Sequence, residues 1–181
     1  MASIPRLRDY RGPAVFSYGF RPFFLLGSLY AGMAILAWLP MFNGDIALPT
    51  AFAPRDWHIH EMLYGYLTAV MTGFLLTAIP NWTGRLPLQG RPLFMLVSAW
   101  VAGRLAVATS LWTGLLLAAA IDVSFLLLVM TFAAREIAAG ASRQRSSLSS
   151  RSSLSAISAF ISRPILLARW STVRGSGSPP R

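Results

Sequence analysis

The chain has 181 residues, of which 55% are apolar and only 12% charged, and its mean hydropathy is positive. A soluble domain carries about 25% charge, so an ordinary water-soluble globule is excluded. The 16 basic residues are all arginine and face six acids, for a net charge of +10, and cysteine is absent; disulfides, thiolate metal sites and cysteine nucleophiles are thereby excluded, and any metal must use His, Met, carboxylate or Tyr.

The apolar residues fall into four long runs, at 22–42, 58–79, 92–109 and 113–134. Each is about 18 to 22 residues, enough to cross roughly 30 Å of hydrocarbon as a helix. Barrel strands would need only about ten residues and would alternate polar with apolar. The expected fold class is therefore all-α: a polytopic transmembrane bundle of about four helices. The arginines mark its orientation. Arg6, Arg8, Arg11 and Arg21 precede the first run, Arg85 and Arg91 lie between the second and third, and Arg135 follows the fourth. The loop after the first run has Arg55 against Asp45 and Asp56, and the turn after the third has no charge. Positive loops stay cytoplasmic, which predicts both termini on that side and the bilayer, rather than nucleic acid, as the partner that explains the basicity. No cleavable signal peptide is evident, since the first apolar run begins late and is long enough to stay in the bilayer. In a Gram-negative cell this describes a multi-pass inner-membrane protein.

Gly19-Phe20-Arg21-Pro22-Phe23-Phe24 reads as a helix start at the inner interface, with Arg21 at headgroup level and the aromatics as anchors. Gly27, Ala31, Gly32 and Ala34 then offer small positions for close helix approach. The second run opens with the informative chemistry: Asp56-Trp57-His58-Ile59-His60-Glu61-Met62 gathers two imidazoles, two carboxylates and a thioether. At 100° per residue His58 shares a face with Glu61, Gly65, Ala69, Thr72 and Gly73, whereas His60 points nearly opposite, with Tyr64, Leu67, Met71 and Phe74, toward lipid or a separate contact. The stripe of Gly65, Ala69 and Gly73 suits close packing of a second helix or of a flat porphyrin. On a regular helix the two histidines diverge by about 200° and cannot share one ion; they converge only if residues 56–59 are unwound. His58 and His60 are candidate metal ligands by residue type. The same residues also suit a plain interfacial role, as hydrated imidazoles and acids that complement the helix dipole. This run is expected to end at Pro80, with an interfacial turn at 81–85.

Arg104 and Asp122 are ionisable residues inside the third and fourth runs. Charges there are costly and seek partners in the bundle interior; these two are placed to pair, either as a structural lock or along a proton or ligand path. From residue 141 the composition changes: the last 41 residues hold 13 Ser and seven Arg with no acid. This segment reads as a disordered tail, a basic amphipathic anchor, or the product of a shifted reading frame after Gly140, which is the preferred reading.

GFRPFFLLG (19–27), WHIHEM followed by Gly65 (57–65), GFLLTAIPNWTGR (73–85), AGRLA (102–106), AREI (134–137) and Asp122 together resemble the start of the NnrS family, over about residues 12–140. The resemblance implies an inner-membrane protein that binds haem and copper and is tied to the nitric oxide response and denitrification. It makes His58, His60 and Glu61 the cofactor-binding candidates, with His58 and His60 as haem or copper ligands, Met62 as a soft copper ligand and Glu61 as a supporting or proton-handling group. The chain has only two His, so a complete pair of centres would call on subunit association or on further helices. Two other functions fit the same residues: a small proton-linked transporter using Arg104 and Asp122, and an inactive truncated product. No catalytic turnover follows from these residues.

Overall fold

The computed structural model describes residues 10–84 and 86–142, all of them helix, turn or loop. Four helices are long and apolar enough to cross a membrane: α1 (Phe20–Asn43), α2 (Pro54–Thr83), α3 (Arg91–Ala108) and α4 (Leu115–Ser142). The described residues up to Gly140 form one compact unit. Beyond Ser142 the Ser/Arg-rich tail, and with it the readings made of that segment, lies outside the described residues.

Local chemistry explains where the helices start and stop. α1 ends at Gly44, whose φ of 86° is left-handed; the Gly44 and Asp45 N–H groups turn back to the Met41 and Pro40 carbonyls at 3.2 and 2.8 Å, a cap that only glycine enters without strain. α2 begins four residues earlier than the apolar run. Pro54 occupies the first turn and Asp56 adds negative charge there, both favourable at a helix N-terminus. At its other end α2 does not stop at Pro80 but runs on to Thr83. Proline removes one ladder bond, but so near the terminus few bonds remain to be lost, and the Thr83 hydroxyl donates to the Ile79 carbonyl at 2.8 Å. Gly84, at φ 66°, then ends the helix. Gly114, at φ 82°, delays the start of α4 to Leu115.

The middle of α2 is not regular. From Glu61 to Leu67 it widens into π-helix, a register rare in proteins and frequent at functional sites. The carbonyls displaced by this register find other donors. Trp100 Nε1 on α3 donates to the Gly65 carbonyl at 3.0 Å, and the Thr68 hydroxyl reaches the carbonyls of Tyr64 and Gly65.

All four helices contribute to one core: Phe23 from α1, Ala69 and Leu76 from α2, Leu93 and Trp100 from α3, and Phe125 from α4. α1 and α2 approach closely through small residues, as expected of helices packing in lipid; a Cβ on Gly27 would stand 3.2 Å from that of Ala69. Large apolar side chains instead cover the outside, with Leu36, Met95, Leu116 and Met130 each more than 60% exposed, while Glu61, Arg104 and Asp122 are buried. A surface of this kind is stable in hydrocarbon and not in water. The chain is a multi-pass membrane protein. Trp82 and Trp112 are exposed near opposite ends of the bundle, where indole rings anchor at the bilayer interface.

The connections are tied to the bundle. At one end Ser110 Oγ accepts the Ala51 N–H at 2.8 Å and lies 3.2 Å from Thr50 Oγ1. The Leu111 N–H reaches the Pro49 carbonyl at 3.0 Å. At the other end Gln89 Nε2 donates to the Ser17 carbonyl at 2.6 Å, and the Gly90 N–H to Phe16 at 3.0 Å.

Candidate functional site

The widened turn of α2 faces the charged residues of the bundle. Glu61, fully buried, accepts from Tyr30 Oη of α1 at 2.5 Å and from Arg104 Nη1 of α3 at 2.7 Å, both on Oε2. Arg104 Nη2 donates to Asp122 Oδ1 of α4. One guanidinium thus joins carboxylates from the helices on either side of it in sequence, and the planar fork of arginine is suited to this because its donors diverge at fixed angles. Side chains from all four spans meet here. The pairing expected of Arg104 and Asp122 is present, and Glu61 is its third member.

Gly65 makes room for the cluster. A Cβ there would lie 2.8 Å from Arg104 Nη1, 2.8 Å from Glu61 Oε2 and 2.9 Å from Tyr30 Cε1. Gly103 does the same for the other arm, since its Cβ would stand 2.9 Å from Asp122 Oδ1. Tyr30 and Trp100 also pack edge to face, with ring centroids 5.5 Å apart.

The two histidines of α2 have different surroundings. Residues 56–59 are helical rather than unwound, so the rings diverge. His60 makes the separate contact: Nδ1 lies 3.5 Å from Glu61 Oε1 and Nε2 lies 3.4 Å from Asp122 Oδ2, although neither His60 Nδ1 nor Glu61 Oε1 has a hydrogen-bond partner. Tyr64 stacks on the imidazole at 4.9 Å and Phe52 lies 5.3 Å away. His58 turns toward α1, where Trp38 stacks on it at 4.2 Å and 21°. Its Nδ1 is buried with no partner, as are the indole nitrogens of Trp38 and Trp57. Met62 packs against the neighbouring apolar cluster of Ala34, Met41, Trp57 and Val107.

Among the described residues no group of three or more His, Asp or Glu side chains is arranged to hold a metal ion. His60 is flanked by two carboxylates already bound to a guanidinium, whose positive charge opposes a cation there. His58 fits better. Its shielded nitrogen is an unused coordination or hydrogen-bonding position, and a haem, which brings four nitrogen ligands of its own, needs only one imidazole from a given helix.

Tyr30 and Trp100 escaped the sequence reading. Both lie well inside their spans, whereas Tyr and Trp in membrane helices favour the interfaces. That displacement was the available signal.

Neither the curated proteins nor the solved structures contain a match to the chain. The family model described as NnrS protein matches residues 14–172, extending past the expected limit of 140 into the Ser/Arg-rich segment. With most of its length matched, the chain belongs to the NnrS family.

Proposed function

We propose that this NnrS-type protein binds haem through His58 and serves the nitric oxide response of a denitrifying bacterium from the inner membrane, with both termini cytoplasmic. The observation that carries the reading is the His58 imidazole, stacked on Trp38 with Nδ1 buried and unpartnered. Buried polar atoms are ordinarily satisfied, and beside His58 Nδ1 the indole nitrogens of Trp38 and Trp57 are unsatisfied as well. A bound group would complete this set. Copper has a smaller one: His58 and Met62, four residues apart, offer an imidazole and a thioether, the soft pairing that Cu(I) takes. The orientation rests on Arg21, Arg91 and Arg135 at one end of the bundle against Asp45 and Asp56 at the other.

The test is an optical spectrum with iron and copper analysis on the purified chain, for wild type, His58→Ala, His60→Ala and Met62→Leu. Haem through His58 predicts a Soret band in the wild type that is lost in His58→Ala and kept in Met62→Leu. Copper through the pair predicts metal lost in both variants without a Soret band. A well-folded wild type with neither group, whose His58 nitrogen is served by a buried water alone, would end the proposal.

A further inference from the structure

A second feature, independent of the haem reading, lies on the other side of α2. Between the outer parts of α2, α3 and α4 is a cavity of about 270 Å³. His60 and Asp122 line it together; their side chains are 19% and 7% exposed, and Nε2 and Oδ2 stand 3.4 Å apart. Phe52 and Tyr64, whose rings lie 5.3 and 4.9 Å from the His60 imidazole, add aromatic walls. The remainder is aliphatic: Leu115 and Val123 are on its rim, where they are about half exposed, and Ala118 and Ala119 leave space between them.

These features define a ligand. Its access is from the hydrocarbon side, past Tyr64, Leu115 and Val123, so it dissolves in lipid. The aromatic walls select a flat ring. The volume is below the roughly 300–1,000 Å³ of drug-sized sites, and holds one substituted ring rather than a porphyrin. At the closed end an imidazole N–H can donate to a carbonyl oxygen, and a carboxylate can accept from a hydroxyl. A fatty acyl chain would satisfy the walls but offer this polar pair neither donor nor acceptor.

We propose that this cavity binds the headgroup of a lipid-soluble quinone, with His60 donating to a carbonyl of the quinone, Asp122 accepting from a hydroxyl of the quinol, and the isoprenoid tail leaving between α2 and α4. The site occupies the side of α2 away from Trp38 and His58.

The experiment is equilibrium binding of decylubiquinone to the full chain in lipid nanodiscs, with decylbenzene as competitor. Ala119 is exposed, so Ala119→Leu fills the cavity without disturbing the buried charges, and circular dichroism confirms that the variant is folded. The expected result is saturable binding of one quinone per chain, weakened roughly tenfold or more by Ala119→Leu and unaffected by decylbenzene. Asp122→Asn should weaken quinol binding more than quinone binding. Equal competition by decylbenzene would reveal an apolar groove that makes no use of His60 or Asp122 and overturn the proposal. So would unchanged binding in Ala119→Leu, or no saturable binding in a folded wild type.

Discussion

Arg104 reaches Glu61 at 2.7 Å from a position where the glutamate has no exposure, and its other terminal nitrogen is bound to Asp122. One cation is therefore shared by two carboxylates inside the bilayer. Removing it leaves the two carboxylates only Tyr30 and His60 as neighbours, and breaking a buried pair costs about 3–5 kcal/mol. Arg104→Met should prevent accumulation of folded protein. Asp122→Asn, which leaves the Glu61 arm intact, should be milder, and adding Glu61→Gln and Asp122→Asn to Arg104→Met should restore much of the stability. Thermal unfolding in detergent checks the order; equal losses for Arg104→Met and Asp122→Asn would contradict it.

Tyr30→Phe removes the donor to Glu61 Oε2 but keeps the ring that packs against Trp100. Hydrogen bonds to charged groups contribute about 1.5–3 kcal/mol. Glu61 retains Arg104, so the loss should lie at the lower end, measured by the same unfolding assay. A neutral outcome would mean that a water replaces the phenol.

Two glycines make a matched comparison. Gly65→Ala puts a methyl group within 2.9 Å of three members of the buried cluster, and should cost at least the roughly 1–3 kcal/mol typical of overpacking. A Cβ on Gly32 would meet nothing within 4 Å. Gly32→Ala should be neutral or stabilising by up to about 1 kcal/mol through helix propensity. If both behave alike, the space at Gly65 is not what the cluster needs.

Trp100→Phe keeps the aromatic packing and deletes the N–H that serves the Gly65 carbonyl. The carbonyl keeps the Thr68 hydroxyl at 3.3 Å, so the cost should be that of one hydrogen bond, about 0.5–1.5 kcal/mol. The change should also speed amide hydrogen exchange across residues 61–67 more than elsewhere in α2, which hydrogen-exchange mass spectrometry resolves.

The four helices, their approximate limits and the buried face of α2 were legible in the sequence because they depend on length, hydropathy and helical phase. Glu61, Gly65, Ala69, Thr72 and Gly73 are all buried, while Tyr64, Leu67, Met71 and Phe74 are exposed. The pairing of Arg104 with Asp122 was legible as well, since two opposite charges in hydrocarbon have few alternatives. Which neighbour each residue would meet was not. His60 lies beside the exposed face by phase alone; it contacts Asp122 because α4 packs on that side, which no local pattern encodes. The π register was also hidden, as was the bond its Gly65 carbonyl accepts from Trp100, 35 residues away. The end of α2 was misjudged because proline breaks a helix interior more reliably than a final turn.

The widened segment of α2 divides that helix into two parts with separate duties. The part beyond Leu67 is fixed against α1 by Ala69, Gly73 and Leu76. The part before Glu61 carries both imidazoles. Between these parts the ladder takes the wider π register, and the carbonyls of Tyr64 and Gly65 also accept from side chains. The segment is therefore the joint between an end seated by packing on α1 and an end whose imidazoles face Trp38 and Asp122.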